Sequence, residues 1–231
     1  MARLPRLAVA DHAHLVLLRG HGRQSVFRDD VDRAAFLSAL EHACNFEQVA
    51  LHAYALLPDH VWLLCTPGST QAMARAMQAV GRHFSVAFNR RHQRAGSVWD
   101  GRYRATVVEG GAPLLEVMVF VDQASVRQGL EQSVASAAWS SAGQHVGSSP
   151  KFPLTDTAAF WALGNTPFDR YAAYRALLEE PLSSERTEHL AGAARRGWVI
   201  GSQAFLESLR QVSSRPISPR PRGRPKKRTA V

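Results

Sequence analysis

Two apolar runs in VALHAYALLPDHVWLLCTP, Val49 to Pro67, meet at a tight polar turn. Each run has the length and composition of a strand, and Pro58-Asp59 is a typical turn pair, so the segment predicts a β-hairpin. Side chains two apart on a strand share a face, which places His60 and Trp62 in the same space. A histidine beside an indole makes this end of the hairpin a candidate site.

The segments on either side of the hairpin predict a compact α+β order. Residues 12–20 have strand character, and residues 28–47 carry apolar side chains at helical spacing behind an acidic first turn. After the hairpin, Ser69 can cap a long amphipathic helix, residues 101–108 form a fourth strand, and Pro113 begins a third helix. This order predicts a ferredoxin-like βαββαβ antiparallel sheet with the helices on one face, the hairpin at its centre and one extra helix.

The pattern changes near residue 130, which predicts three parts. Residues 1–130 form the α+β domain, 131–212 a helical extension with short helices near 169–178 and 202–209, and 213–231 a basic tail that is disordered when free. Within the extension, AAWSSAGQHVGSSPKFP, residues 137–153, is loop-like. No internal repeat is visible.

The chain has 231 residues, 45% of them hydrophobic, and a formal net charge of +9. That hydrophobic content is enough for one core of ordinary size. Seven basic residues and no acidic ones follow Ser214, whereas the other 21 basic residues nearly balance the 19 acidic ones. The tail therefore holds most of the excess charge, and it predicts either contact with a polyanion such as nucleic acid or a solubilising end.

Composition also indicates the cellular location and the state of the cysteines. No apolar run approaches the ~20 residues of a membrane helix, and the first residues lack the long apolar region of a signal peptide, so we expect a cytoplasmic protein with no membrane partner. Cys44 and Cys65 stand in apolar surroundings without a CxxC pair. We expect both to be buried hydrophobic residues rather than disulfide or zinc ligands.

Collinear motifs carry a resemblance to a known family. They are RGHGRQSVFRDD, HAYALLPDHVWLLCTP, RAMQAVGRHFSVAFNRRH, VWDGRYRA, SVRQGL, AWSSA, GSQAFLESL and the ending RGRPKK. In this order they are similar to REP-associated tyrosine transposases, bacterial single-tyrosine HUH proteins related to small insertion-sequence transposases. The resemblance spans nearly the whole chain and implies DNA transposition as the ancestral activity.

The resemblance implies a metal-dependent reaction on single-stranded DNA. Two histidines of a His-hydrophobic-His strand and a polar residue of the third helix hold Mg²⁺ or Mn²⁺, and a tyrosine of that helix attacks the phosphate. The first histidine falls on His60, but the second position is Trp62. The tyrosine position is Phe120 and the polar position is Ala124. None of these three replacements can bind a hard cation or attack phosphorus.

Three departures at one site predict that cleavage has been lost and that no metal or other cofactor is needed. His60 then remains as a vestigial ligand that is not occupied. The alternative is an active nicking enzyme that uses Mg²⁺ or Mn²⁺ and relocated residues. The side chains with suitable oxygens are Tyr54, Asp59, Tyr103, Asp122 and Gln123.

DNA affinity does not depend on that chemistry, because phosphate and base contacts come from other residues. Basic residues interleaved with aromatic ones suit a single strand or a hairpin, which the resemblance implies as partner in the nucleoid of a bacterial cell. The candidate contacts in the α+β domain are Arg82, Arg90, Arg91, Arg94, Arg102 and Arg104. A protein-interaction scaffold is the alternative, and the sequence does not fix the oligomeric state.

The end of the tail resembles an AT-hook. Its Arg-Gly-Arg-Pro core suits the narrow minor groove of A/T-rich DNA, since arginines favour its negative potential and glycine permits close approach. The candidate contacts are Arg222, Arg224, Lys226 and Lys227.

Overall fold

The computed structural model describes residues 6–149 and 152–219. The order of strands and helices is the predicted one as far as the third helix. The strands are β1 (Ala13–Arg19), β2 (Val49–Leu57), β3 (His60–Pro67) and β4 (Arg104–Val108). The helices are α1 (Asp30–Phe46), α2 (Ala72–Arg91), α3 (Ala112–Asp122), α4 (Ala124–Arg127), α5 (Ala142–His145), α6 (Ala158–Trp161), α7 (Pro167–Glu179), α8 (Ser184–Arg196) and α9 (Gln203–Val212).

The four strands form one antiparallel sheet in the order β2-β3-β1-β4, which confirms the ferredoxin-like arrangement. The hairpin is not central as a whole, since β3 is interior and β2 is an edge strand. The reason is that β1 pairs with the free side of β3 and carries β4 on its other side. In this register Arg19 of β1 lies opposite His60 of β3.

Both faces of the sheet are covered, so the prediction of helices on one face holds only for α1 and α2. These two pack over one face with Val16, Leu18, Val61 and Leu63. The alternate strand residues, such as Leu17 and Trp62, point to the other face, where α3 and the helices of the extension cover them. Alternation along each strand requires this second layer, because both sets of side chains are apolar.

The segment after α4 protects the exposed edge of β2. The backbone N–H of Leu56 donates to the carbonyl of Trp139 at 2.9 Å, and the N–H of Thr155 donates to that of Leu51 at 2.7 Å. His52 sits at a bulge of β2, with its ring nitrogens 2.7 Å from Thr155 O and Thr66 Oγ1. Covering an edge in this way blocks pairing with another chain.

The extension is more helical than the sequence predicted. The two predicted helices are α7 and α9, whereas α8 was missed and the supposed loop contains α5. Ser183 caps the start of α8 and Gly197, in the left-handed conformation, ends it. Helix α8 is rich in alanine and in charged residues. Because its buried face consists mostly of small side chains, the sequence shows only a weak apolar pattern there. The domain boundary at residue 130 stays a prediction.

A buried polar network fixes the extension to α3. The Asp122 carboxylate accepts hydrogen bonds from Ser141 Oγ, from His145 Nδ1 at 2.7 Å and from Tyr174 OH at 2.8 Å. The next residue, Gln123, donates from Nε2 to two backbone carbonyls at the end of α7. Every donor aimed at Asp122 therefore ties a different part of the extension to one carboxylate.

Two composition-based expectations can be compared with these coordinates. Cys44 and Cys65 are free and buried, as predicted. Among the helices of the described residues, none combines the length and hydropathy needed to cross a bilayer.

Candidate nucleic-acid interface

The positions to which the resemblance assigns the chemistry come together at one end of the sheet. The rings of Trp62 and Phe120 meet edge to face with centroids 5.1 Å apart, and the centroid of the His60 ring lies 5.9 Å from that of Trp62. Trp62 is 5% exposed, Phe120 1% and Ala124 0%. These three residues are packed core residues, as the apolar replacements require.

His60 is held by its neighbours. Because the Asp59 carboxylate can only accept, Nδ1–H of His60 donates to Asp59 Oδ1 at 2.6 Å, which leaves Nε2 to face the Gln128 amide nitrogen at 3.4 Å. Burial lowers the pKa of His60, against the pull of Asp59. The imidazole is therefore the neutral form near pH 7.

The donor set does not fit the divalent cation that the family motif implies. Trp62 and Ala124 offer no lone pair where ligands would stand, and His60 is paired with Asp59. In the part of the chain that the structure describes, no group of three His, Cys, Asp or Glu side chains is arranged to hold a metal. We derive no chemical step through such an ion.

A shallow cavity of about 350 Å³ opens beside His60. We call it the arginine pocket, and its polar lining includes Arg19, Arg23, His60, Arg127, Thr187 and Arg195. The guanidinium of Arg127 lies 4.2 Å from the centroid of the Phe120 ring and donates to Phe120 O at 2.9 Å. Burial lowers the pKa of Arg127 to about 10, so it is still a cation at neutral pH.

A second cavity of about 430 Å³ adjoins the arginine pocket. We call it the aromatic pocket, and Trp99, Tyr103, Met77 and Arg102 contribute to its lining. The buried Nε1–H of Trp99 has no hydrogen-bond partner among the described residues. Arg19 contributes to the lining of both pockets. The aromatic pocket otherwise lies on the α1 and α2 side of the sheet, beside Leu18, and the arginine pocket on the other side, beside Leu17 and Trp62.

The sequence-predicted arginines fall into distinct environments. Arg82 and Arg90 are exposed on α2, and Arg94 is half-buried near Phe88. Arg102 lines the aromatic pocket, and Nη1 of Arg104 donates to the carbonyl of Arg195 at 2.8 Å. Arg102 thus lies at the aromatic pocket, whereas Arg104 lines neither pocket. The tail residues Arg222, Arg224, Lys226 and Lys227 lie outside the described residues.

Arg91, one of the predicted DNA contacts, is paired with two carboxylates. Its guanidinium donates to Asp29 Oδ2 at 2.6 Å and to Asp32 Oδ1 at 2.6 Å. Asp29 also caps α1, so the pair fastens the end of α2 to the start of α1. Sequence distance hid the contact, since the partners lie some sixty residues apart.

We expect Arg90→Gln and Arg91→Gln to affect DNA binding differently. Arg90 is exposed and has no side-chain partner in the described part, so its loss should lower affinity several-fold and reduce the slope of log K against log salt by about 0.7. Arg91→Gln should leave affinity and slope unchanged and lower the melting temperature instead. Fluorescence anisotropy at several salt concentrations measures both; equal slopes for the two variants would refute the distinction.

The oxygens proposed for the alternative enzyme lie away from the arginine pocket, apart from Asp59. Tyr54 packs on the α1 and α2 face, and burial raises its pKa to about 12. Tyr103 lies in the aromatic pocket under the guanidinium of Arg6, 4.0 Å from the ring centroid. Asp122 is committed to the buried network. None of the four tyrosines of the chain lines the arginine pocket.

Four pocket arginines were missed by sequence reasoning: Arg19, Arg23, Arg127 and Arg195. Arg19 ends a strand and Arg23 lies in the following turn, so neither stands in a basic cluster. Arg127 occupies a position of the quoted helix motif, which was a usable signal. Arg195 belongs to α8, the helix that sequence reasoning did not find.

A ferredoxin-like sheet with the hairpin motif on β3 and the helix motif on α3 and α4 is the arrangement of single-tyrosine transposases. Residues 9–123 match the family described as Transposase IS200 like, and the chain belongs to this family.

Two solved structures resemble this chain. One is a REP-associated tyrosine transposase bound to a REP hairpin, with a TM-score of 0.53 and 15% identity over 69% of this chain and 96% of that one. At this identity the likeness concerns the fold. The other is a putative transposase from Deinococcus radiodurans, with a TM-score of 0.37 and 20% identity over 57% of this chain and 97% of that one. No curated protein matches the sequence.

Proposed function

We propose that this protein is a DNA-binding relative of the REP-associated transposases that binds a hairpin or its flanking single strand without cutting it. The observation that carries the proposal is the packing of Trp62, Phe120 and Ala124 where two ligands and the nucleophile would stand. An indole, a phenyl ring and a methyl group supply packing and no chemistry.

Two features support DNA as the partner. The chain has an arginine-lined pocket and an aromatic pocket that both include Arg19, and such groups suit a strand whose phosphates need cations and whose bases stack. A protein of the same fold is bound to a REP hairpin. We also propose that the tail adds contacts in the minor groove of A/T-rich duplex, which would keep the protein on chromosomal DNA.

We expect the protein to bind a hairpin with a single-stranded flank at least tenfold more tightly than an unstructured strand of the same length at physiological salt. Anisotropy titrations with labelled oligonucleotides measure this ratio. A chain ending at residue 219 should keep it while losing affinity for A/T-rich duplex. Equal affinities for hairpin and unstructured strand would contradict specific binding.

A cleavage assay completes the test. Protein incubated with 5′-labelled single strands and Mn²⁺ or Mg²⁺ should give neither a nick nor a covalent adduct on a denaturing gel, with a catalytically intact relative as positive control. An adduct that disappears in Tyr103→Phe or Tyr54→Phe would overturn the loss of catalysis and restore the alternative enzyme.

A further inference from the structure

Positive charge at the arginine pocket exceeds the negative charge available there. Four guanidinium groups line the cavity, and Asp59 is the one carboxylate among the lining residues. Asp59 already accepts from His60. Arg195 pairs with Glu188 at the exposed end of α8, whereas Arg127 has no carboxylate partner in the described residues. Half-buried cations without a counter-charge indicate a site for an anion.

The pocket also contains hydrogen-bond donors that nothing in the protein satisfies. The buried hydroxyl of Thr187 has no partner, and the side chains of Arg19 and Arg23 make no hydrogen bond within the described part. Arg127 is held in place because one face of its guanidinium lies on Phe120 while Nη1 donates to the Phe120 carbonyl. A pre-positioned planar donor group suits bidentate contact with an oxyanion.

The proposed DNA partner indicates which anion. Each nucleotide of a DNA strand carries a negatively charged phosphate, and arginine side chains are common partners of such phosphates. We propose that the arginine pocket binds one backbone phosphate of the bound DNA strand directly through Arg127, Arg19 and Thr187, where the ancestral site used a cation. This inference rests on the proposed function and names the phosphate contact within it.

Arg127→Gln removes the charge but keeps a planar amide near Phe120. We expect about a tenfold loss of affinity for the flanked hairpin, with the slope of log K against log salt reduced by 0.7 to about 0.9, because one phosphate contact disappears. Arg19→Gln should show the same change; its side chain makes no hydrogen bond or ion pair with the described residues, so its loss should have little effect on folding. Affinity should not differ between EDTA and Mn²⁺.

Arg210→Gln, on helix α9, is the matched control. It should change neither the affinity for the flanked hairpin nor the slope of log K against log salt. If the wild-type protein binds the hairpin and neither pocket variant alters the slope, the phosphate contact is wrong while the proposed function stands. If the wild-type protein does not bind hairpin DNA, binding of inorganic phosphate tests the arginine pocket instead. At matched ionic strength it should raise the melting temperature of wild type more than that of Arg127→Gln, and equal shifts would refute the site.

Discussion

The Asp122→Asn variant is expected to lose about 3–5 kcal/mol of the free energy of unfolding, since it leaves a buried cation without its counter-charge. Asp122 is fully buried and accepts from Ser141, His145 and Tyr174. Those donors belong to the loop before α5, to α5 and to α7, so the change loosens the contacts between α3 and the extension. Denaturant unfolding followed by fluorescence measures the loss.

The same carboxylate gives stability a pH dependence. Both ring nitrogens of His145 face acceptors, Asp122 Oδ2 at 2.7 Å and the His52 carbonyl at 3.0 Å, so the ring is the doubly protonated imidazolium. Burial opposes this charge, but Asp122 outweighs it and raises the pKa of His145 above its usual value. The stabilisation from the His145–Asp122 pair is therefore complete below the unfolded pKa of histidine, about 6.5, and is lost as pH rises through the pKa of His145 in the folded protein.

Unfolding curves at pH 6 and pH 8.5 test this sign. Three other histidines, His14, His52 and His60, have pKa values lowered by burial, so in wild type they favour the fold at higher pH and oppose the effect of His145. The test is therefore the destabilisation caused by Asp122→Asn, which should be larger at pH 6 than at pH 8.5. The exposed Asp100→Asn is the matched control and should behave as wild type at both values. An equal or larger destabilisation by Asp122→Asn at pH 8.5 would show that His145 is neutral in the fold.

Local patterns were sufficient for the first half of the fold. The hairpin, both amphipathic helices and the fourth strand each have a clear period and end signal, and their chain order implies the βαββαβ arrangement, although not the edge position of β2. The second face of the sheet was not predictable in this way. Its cover comes from α3 and from helices of the extension such as α8, and the edge of β2 is covered through long-range bonds such as Thr155 N–H to Leu51 O. Such contacts leave no local pattern.

The candidate site was likewise predictable only in part from the sequence. Motif spacing placed His60, Trp62, Phe120 and Ala124 correctly in one cluster, because two of them share a strand face and two share one end of a helix. The clustering of basic residues in the sequence did not identify which arginines lack an acidic partner. Arg91 stands in the basic run at the end of α2 and is paired with aspartates, whereas Arg19, at the end of β1, lies outside that run and lines both pockets. Whether an arginine is paired with a carboxylate depends on tertiary contacts, which composition does not reveal.

Trp62→Ala is expected to cost about 3–5 kcal/mol, because the indole fills the volume between the sheet and α3 and its removal leaves a cavity. On the sheet it lies between Leu17 and Ala55 of the adjacent strands, and above the sheet it contacts Phe120. Trp161→Ala is the matched control: that indole is 54% exposed, and its main contact is the Arg170 guanidinium, so its loss should cost less than about 1 kcal/mol.

Chemical denaturation of both tryptophan variants, with unfolding monitored by far-UV circular dichroism, gives the comparison. Equal losses would mean that Trp62 is not part of the packed core, and the interpretation of a filled site would fail. Trp62→His should also destabilise the fold, because it shrinks the side chain and places a second imidazole against Phe120 in a water-poor site. Since Phe120 and Ala124 also lack the oxygens that the family motif implies, we expect Trp62→His to lower stability without giving cleavage.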